Sequence, residues 1–515
     1  MSTIYDLPPE VLRFIFSFLG RGHYIFIGLT CRNFLHRYRN SSNKKRKFDC
    51  EMGNGKRQTF ISNVLLSVSC IDWYLHDAGT DDKQLRMILN GAASNGQLNI
   101  LQWMHDREYL HACDEETTNS AAKHGQLNAL EWLNEHGCSP TSSACDIAAK
   151  HGNFNILQWL TTHGCLCDEE TCSDAARGGH LNILQWLRTN GCPWDSYTCS
   201  EAARGGHLNV LQWAISNDCP YDDTTDHGAI MGGHLHILKW LKLAADFSFV
   251  QNMCSDAASA GHLHILQWAR QYGCEWDATT CIAAARNGHL HILQWAKQNR
   301  CPWDERTCIA AVERGYLHIL QWVRQNGCQW DGRTCVAAVE GGLYGYLHIL
   351  QWARQNRCPW DADTCSAAAK LGHLHILKWA RQNGCPWNRT TCHVAAERGH
   401  LHILQWATQN GLSFDTKICS IAAKHGHFRL LQWARNEKCP WDERTCCAAA
   451  EGDHLVILQW ARKNGCPWDE RTCIAAVRSQ NCNSFTPFSH NNPILRWATE
   501  NECPGHENYK SYLDP

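Results

Sequence analysis

The sequence predicts an all-α fold: a solenoid of about fifteen helix–turn–helix repeats that follows a small helical module. Of the 24 tryptophans, sixteen lie in segments that resemble I-L-Q-W, most often 27 residues apart, as from Trp379 to Trp406 to Trp433. The other eight follow the next turn, as Trp303 does. A chain of 515 residues is too long for one compact core, whereas a solenoid grows without enlarging its core.

One repeat, residues 280–304, shows how each element is specified. Its first half is a short helix with small residues on one side, and Asn287-Gly288 ends that helix because glycine tolerates the left-handed conformation. The second half carries an apolar stripe at helical spacing, formed by Leu290, Ile292, Leu293, Trp295 and Ala296. Cys301-Pro302 then stops the second helix, and Asp304 or Thr307 can cap the next one. A helix pair this short must stack on its neighbours to bury its stripe.

The recurring pattern A-A-x-x-G-H-L-x-I-L resembles the ankyrin repeat over about 450 residues. The usual ankyrin unit has 33 residues. The resemblance implies ankyrin-type helix stacking in which the missing residues shorten the β-hairpin fingers. We therefore expect an ankyrin-like α-solenoid with blunted fingers.

The repeats set the predicted domain boundaries. We expect a helical module at 1–40, a basic polar linker at 41–60 and an N-terminal capping half-repeat at 61–78. The ankyrin-like repeats occupy 79–478, and an atypical C-terminal capping repeat with a tail occupies 479–515. An insertion near Leu343-Tyr344-Gly345 adds three residues to one repeat.

The cysteines recur at a spacing of seven residues in ten repeats, as in Cys301 and Cys308. Metal ligation or a disulfide ladder would explain such pairs, but equivalent positions hold Phe247 and Leu412, which supply apolar volume and no ligand. We interpret the thiols as core packing and expect no metal or cofactor. The paired histidines, such as His289 and His291, point in different directions on a helix, so we expect hydrogen bonds near the helix start.

Two sets of residues could contact a partner. The Cys-Pro-Trp-Asp tryptophans are expected to pack between repeats, with a binding groove as the alternative. The positions between each Asp and the following Thr vary most, which is typical either of solvated loops or of partner selection. The candidate target-binding loop residues are Tyr197, Glu305, Arg306, Arg333, Asp363, Arg389, Glu443 and Arg444.

The N-terminal module, L-P-P-E-V-L-R-F-I-F-S-F-L followed by C-R-N-F, resembles an F-box. F-boxes dock onto the Skp-type adaptor of cullin–RING ubiquitin ligases, and the alternative is a hairpin that only caps the solenoid. The resemblance implies that the adaptor would be contacted by Leu7, Pro8, Glu10, Ile15, Phe16 and Leu19.

The linker carries a basic cluster that is either a nuclear localisation signal or a solvated charge cluster. Its residues are Lys44, Lys45, Arg46 and Lys47. The N-terminus lacks the pattern of a signal peptide, and no stretch is apolar enough to span a membrane. We expect an intracellular protein of the cytoplasm or nucleus. The formal charge of -2 and pI near 7.0 disfavour nucleic acid as the principal partner.

The sequence contains no nucleotide-binding loop and no catalytic constellation apart from the repeats. We expect a non-enzymatic adaptor, monomeric apart from its partners, that recruits an unknown target protein to a ubiquitin ligase. The first alternative is a scaffold or sequestering protein without ligase coupling. The second, which the sequence favours less, is nucleic-acid binding through the tryptophans. The combination of an F-box with short Trp/Cys-rich repeats resembles proteins of giant DNA viruses, which would place the protein in a host cell.

Overall fold

The computed structural model describes residues 71, 75, 81–244, 252–342, 345–479 and 492–512. Within these ranges the chain forms thirty α-helices and no β-strand, and the helices follow one another as fifteen pairs. This confirms the predicted all-α repeat fold. The six predicted adaptor-binding residues and the basic cluster at 44–47 lie outside the described residues, as do residues 343 and 344 of the insertion.

The chain divides into two units, Met1–Met253 and Cys254–Pro515. The described part of the first unit contains six helix pairs: α1 (Asp82–Ser94) with α2 (Leu98–Asp106), α3 (Glu115–Lys123) with α4 (Leu127–Glu135), α5 (Ser142–His151) with α6 (Phe154–Thr162), α7 (Glu169–Gly178) with α8 (Leu181–Thr189), α9 (Ser196–Gly205) with α10 (Leu208–Ser216), and α11 (Asp223–Gly232) with α12 (Leu235–Ala244). A short 3-10 helix, Tyr109–Ala112, follows α2.

The second unit contains nine pairs, the first of which begins at the boundary: α13 (Met253–Ala260) with α14 (Leu263–Gln271), α15 (Ala278–Arg286) with α16 (Leu290–Gln298), α17 (Glu305–Glu313) with α18 (Leu317–Gln325), α19 (Gly332–Glu340) with α20 (Leu347–Gln355), α21 (Ala362–Lys370) with α22 (Leu374–Gln382), α23 (Arg389–Glu397) with α24 (Leu401–Gln409), α25 (Thr416–Lys424) with α26 (Phe428–Asn436), α27 (Glu443–Glu451) with α28 (Leu455–Lys463), and α29 (Glu470–Ser479) with α30 (Pro493–Glu500). A 3-10 helix, His506–Tyr512, closes the described chain.

In most repeats an aspartate lies immediately before the first helix and is its N-cap. The side chain of Asp304 accepts a hydrogen bond from the backbone N–H of Arg306 at 3.0 Å, so Asp304 is the N-cap and not Thr307. Thr307 is fully buried instead. The helix before it, α15, ends before Gly288, whose φ of +86° is in the left-handed region.

The core lies between the two helices of each pair and between neighbouring pairs. In the repeat of α15 and α16, Cys281, Ala284, Ile292, Leu293 and Ala296 have no measurable exposure. Successive first helices pack against each other within each unit, as α9 does with α11 and α27 with α29. Small alanine and cysteine side chains permit this close approach, as the sequence predicts.

The cysteine thiols are mostly buried and contact one another within a repeat. The Sγ atoms of Cys172 and Cys192 are 3.4 Å apart, and those of Cys254 and Cys274 are 3.3 Å apart. These partners are 20 residues apart in sequence, so the spacing of seven residues between cysteines does not identify the thiols that are in contact. The Cys192 thiol also donates to the carbonyl of Asp168 at 3.2 Å.

One pair of cysteines does more than fill the core, because Cys113 and Cys138 form a disulfide. Both residues follow the second helix of their repeat, so this bond joins two successive repeats. Among the described residues, no group of three or more His, Cys, Asp or Glu side chains could hold a metal ion.

In several repeats the histidine just before the second helix donates a hydrogen bond to the repeat before it. The Nε2–H of His180 donates to the carbonyl of Lys150 at 3.1 Å, and that of His400 to the carbonyl of Lys370 at 3.0 Å. Burial lowers the pKa of both imidazoles. The predicted hydrogen-bonding ladder is therefore present, and it links repeats through carbonyls at the ends of first helices.

The tryptophans pack between repeats. The indole of Trp303, in the loop after α16, lies edge-on to that of Trp322 in the next second helix, with ring centroids 5.9 Å apart. The Lys297 ammonium lies 4.1 Å from the Trp303 ring centroid. This arrangement corresponds to the predicted packing role of the Cys-Pro-Trp-Asp tryptophans. No helix in the described part of the chain is long and apolar enough to cross a membrane.

Candidate target-binding groove

A groove of about 800 Å³ runs across four successive first helices of the second unit, α13, α15, α17 and α19. Its floor is apolar and consists of Ile282, Ala283, Ile309, Val336 and Ala337. Ile309 and Val336 are half-buried, so their side chains keep surface that a ligand could cover. The groove therefore presents an apolar strip that the stacking of the repeats leaves uncovered.

The floor is apolar because one position of the repeat departs from its usual chemistry. Ile282, Ile309 and Val336 each follow the buried cysteine of their first helix. The same position is polar in the flanking repeats, where it holds Ser173, Ser200, Ser255, Ser366, His393 and Ser420. Three successive repeats with an apolar residue at a position that the adjoining repeats fill with a polar residue are typical of a binding surface, because packing within the repeat does not require them. Away from the groove the position is also apolar in two repeats, which hold Cys447 and Ile474.

One edge of the groove is formed by the first turns of the helices and is lined by arginines. Arg306 donates to Asp304 at 2.6 Å, and Arg333 contacts Asp331 at 2.8 Å and Glu305 at 2.9 Å. The hydrogen bond and charge of Asp304 raise the pKa of Arg306. The carboxylates hold these guanidinium groups in place while leaving more than half of each side chain exposed.

The opposite edge is formed by the last turns and is mainly acidic. Glu313 and Glu340 line it, and Arg286 Nε lies 3.2 Å from Glu313 Oε2 of the next repeat. Exposed guanidinium groups therefore line one edge and mostly glutamates line the other, across an apolar floor. A complementary ligand would place apolar side chains on the floor, acidic groups beside the arginines and basic groups beside the glutamates.

The structure places the eight candidate target-binding residues in the first turn of their helices and not in the preceding loops. An aspartate, or Asn388 in the case of Arg389, is the N-cap of each of these helices, so each helix begins earlier than its Thr-Cys pair suggests. Arg306 and Arg333 line the groove, and Glu305 pairs with Arg333. Tyr197 belongs to the first unit, where 61% of its surface is exposed.

The other candidates in the second unit do not line this groove. Asp363, Arg389, Glu443 and Arg444 occupy the first turns of α21, α23 and α27, beyond its end at Gly341. Their equivalent positions in sequence therefore do not imply a shared site. The floor residues were not singled out by the sequence analysis, although comparison of that position across repeats would have found them.

Family comparisons agree with this architecture. The F-box domain family matches residues 4–37. The family described as ankyrin repeats, many copies, matches residues 335–406 and 392–435. The chain thus carries an F-box domain and ankyrin repeats, which support a protein-interaction adaptor. No curated protein matches the sequence.

Two solved structures of helical-repeat proteins are similar at low identity. The pentatricopeptide repeat protein PPR10 from maize is 13% identical, with a TM-score of 0.26 and coverage of 99% of this chain and 93% of that one. PPR10 in complex with an 18-nt psaJ RNA element is 11% identical, with a TM-score of 0.22 and coverage of 96% and 100%. TM-scores this low do not establish a shared fold.

Proposed function

We propose that this protein is a substrate-recruiting adaptor of a cullin–RING ubiquitin ligase. The F-box at 4–37 would bind a Skp-type adaptor, and the groove on α13, α15, α17 and α19 would bind a segment of a target protein. The observation that carries the proposal is the apolar floor of Ile282, Ile309 and Val336, at a position that is polar in the flanking repeats.

The adaptor would act by proximity and not by chemistry of its own. Holding a target beside the ligase converts the encounter between target lysines and the ligase-bound enzyme into an effectively intramolecular event. The rate of transfer would then depend on how long the target stays in the groove.

The coupling to the ligase is tested with a purified Skp-type adaptor and the full chain. Wild type should bind, and the double variant Pro8→Ala with Phe16→Ala should bind at least tenfold more weakly. Equal binding of the two proteins, or no binding by wild type, would reject ligase coupling and favour a scaffold or sequestering protein.

The groove is tested with the triple variant Ile282→Ser, Ile309→Ser and Val336→Ser. Serine occupies this position in neighbouring repeats, as at Ser366, so the substitutions are compatible with the fold. The matched control is Ile474→Ser, which changes the same position in α29, away from the groove.

Partners are captured from cells with wild type, the triple variant and the control, followed by quantitative mass spectrometry. A target of the groove is a protein that wild type and the control retain and the triple variant loses at least fivefold. If every partner survives the triple variant, the groove is not the target-binding site, whatever the F-box binds.

A further inference from the structure

The first eight second helices of the second unit, α14 to α28, with the loops that follow them, form a strip that is strongly basic. We define the basic strip as the segments 262–276, 289–303, 316–330, 346–360, 373–387, 400–414, 427–441 and 454–468. These segments contain two acidic residues, Glu275 and Glu437. They contain thirteen cations: Arg270, Lys297, Arg300, Arg324, Arg354, Arg357, Lys378, Arg381, Arg429, Arg435, Lys438, Arg462 and Lys463.

This imbalance is specific to the first eight second helices of the second unit, because the ninth, α30, and the loop after it carry Arg496 against Glu500 and Glu502. The seven stretches of chain between the eight segments of the strip contain the first helices. They carry ten Lys or Arg and fourteen Asp or Glu. The corresponding second-helix segments of the first unit carry four basic and six acidic residues. The formal charge of -2 for the whole chain therefore conceals a local excess of positive charge.

The cations of the strip are available for an external anion. Within the described residues, none of the thirteen forms an ion pair, whereas first-helix arginines do, such as Arg286 with Glu313 and Arg471 with Glu443. Seven of the thirteen side chains belong to exposed residues of the second helices or their loops, as Arg300, Arg357 and Lys378 do. Exposed cations that no carboxylate of the described chain neutralises are typical of polyanion-binding surfaces.

The partly buried arginines of the strip are held in one orientation. The Arg324 guanidinium lies 4.1 Å from the centroid of the Trp330 ring, and its Nη1 donates to the carbonyl of Cys328. Trp330 in turn lies edge-on to Trp352, with ring centroids 5.8 Å apart. The guanidinium planes are thus ordered before any ligand arrives, which lowers the entropic cost of binding.

The same arrangement recurs along the strip, which makes it a ladder. Guanidinium carbons of the strip lie 4.0 to 4.5 Å from the ring centroids of the loop tryptophans in Arg270–Trp276, Arg324–Trp330, Arg354–Trp360, Arg381–Trp387, Arg435–Trp441 and Arg462–Trp468. Neighbouring helices are about 8–10 Å apart, so the cations repeat at roughly that interval.

A cavity of about 440 Å³ opens on the strip between two repeats. It is lined by Lys378, Arg381, Gln382, Trp387, Trp406 and Asn410. The cavity therefore combines two cations and two indoles with two amides. Amides donate and accept hydrogen bonds, as the edges of nucleobases do.

We propose that the basic strip binds single-stranded nucleic acid. The ordered cations would contact successive phosphates, and unstacked bases would lie on the outer faces of the guanidinium planes and against the indoles. An acidic peptide would use the charges alone and leave the aromatic and amide groups without a role. This surface lies on second helices, so it is separate from the target-binding groove, which first helices form.

The test uses fluorescence anisotropy of the full chain with labelled 20-nucleotide oligouridylate and oligothymidylate between 50 and 300 mM salt. The variant is Arg300→Gly, Arg357→Gly and Lys378→Gln, because glycine and glutamine are the residues that most repeats have at these positions. Arg300 and Arg357 also have positive φ values, 60° and 65°, which glycine adopts without strain. These changes therefore remove three charges without threatening the fold.

Wild type should bind with an affinity that falls steeply with salt. The variant should bind at least tenfold more weakly at 100 mM salt, and its log–log salt slope should be shallower by about 2, or roughly 0.7 for each lost phosphate contact. The matched control, Arg314→Thr with Arg389→Thr and Arg398→Thr, removes the same charge from the first helices and their C-caps, and it should stay within twofold of wild type.

Three outcomes would overturn the proposal. They are no binding at 50 mM salt, equal weakening by the variant and the control, or displacement of the oligonucleotide by polyglutamate at equal charge concentration. A second variant, Arg324→Thr with Arg354→Thr and Arg381→Thr, tests the ordered arginines, and Thr408 already occupies that position in a native repeat. It should lose at least tenfold in affinity with an unchanged circular dichroism spectrum.

Discussion

The Nε2–H of His289 donates a hydrogen bond to the backbone carbonyl of Ser259, 3.0 Å away in the preceding repeat. Ser259 lies in the last turn of α13, where carbonyls have no acceptor role within the helix. The bond therefore joins two repeats and satisfies a helix end at the same time. Related bonds from His180, His234, His400 and His427 show that the joint is repeated.

We expect His289→Ala to lower the opening free energy of the helices on either side by about 1–2 kcal/mol, because a partly buried carbonyl loses its partner. Hydrogen exchange of amides in α13 and α15, followed by mass spectrometry, measures this. The control is His318→Ala, an exposed histidine whose ring contacts Tyr316. Equal protection in the two variants would show that the joint does not hold the repeats together.

Acid should weaken the same joints. Burial lowers the pKa of the joint histidines His180, His289 and His400. Because the folded pKa values lie below the ordinary value of 6.5, the unfolded chain takes up protons first as the pH falls. The stability of these repeats is therefore complete above about pH 6.5 and is lost progressively below it.

The measurement compares urea unfolding of wild type at pH 7.5 and pH 5.5 with that of the double variant His289→Tyr and His400→Tyr. Tyrosine occupies the same position natively at Tyr316 and Tyr346, so the variant should fold. We expect a smaller loss of midpoint on acidification in the variant. An equal loss in both proteins would assign the acid sensitivity to other groups.

The fold could be predicted from the sequence because its signal is repeated fifteen times. The tryptophan spacing fixes the repeat length, and the apolar stripe fixes which helix face is buried. The groove could not be predicted in the same way, because Ile282, Ile309 and Val336 fit the helical pattern of their own repeats. Only a comparison of the residue after the first-helix cysteine in all repeats shows that this position lies on the surface and not in the core.

The thiol contacts were also beyond the sequence pattern. Cys301 and Cys308 are close in sequence, but the chain turns between them. The recurring thiol contact instead joins two cysteines that are twenty residues apart, such as Cys254 and Cys274. The return of the second helix beside the first brings those two positions together. Sequence spacing reports such a contact only after the lengths of both helices and of the turn are known.

One repeat carries a carboxyl in place of the helix thiol, and this should make its stability depend on pH. Burial, with nearby Asp223 and Asp222, raises the pKa of Asp226 to about 7. The unfolded carboxyl ionises near pH 4, so the folded state loses stability as the pH rises from about 4 to 7, and the cost is complete above 7.

Asp226→Asn removes that cost. At pH 8 we expect the free energy of opening of α11 to rise by about 2 kcal/mol. This is half of the free energy that corresponds to the whole pKa shift, because solvent screens a partly exposed side chain. At pH 4.5 the variant and wild type should differ little. The control Asp223→Asn changes an exposed carboxyl on the same helix, and an equal gain from it would mean that general charge repulsion is responsible.

The buried thiols of the second unit are expected to act as small apolar side chains. Cys308 is fully buried, and a hydrogen bond with the Cys328 thiol together with burial raises the pKa of Cys308 well above the usual range, which keeps the thiol protonated. Cys308→Ala should cost about 1 kcal/mol in the opening free energy of α17, through lost volume. Cys308→Ser should cost about 2 kcal/mol, because a hydroxyl is more expensive to bury than a thiol.

The order of these two variants distinguishes packing from ligation. Cys447→Ser, at a half-exposed thiol, should change stability by less than about 0.5 kcal/mol and serves as the control. If the thiols bound metal, alanine and serine would be equally damaging at Cys308, since both lack the ligand atom, and a chelator would unfold the purified protein. Serine worse than alanine, with unfolding insensitive to chelator, is the result that packing requires, because only the burial of a polar group separates the two substitutions.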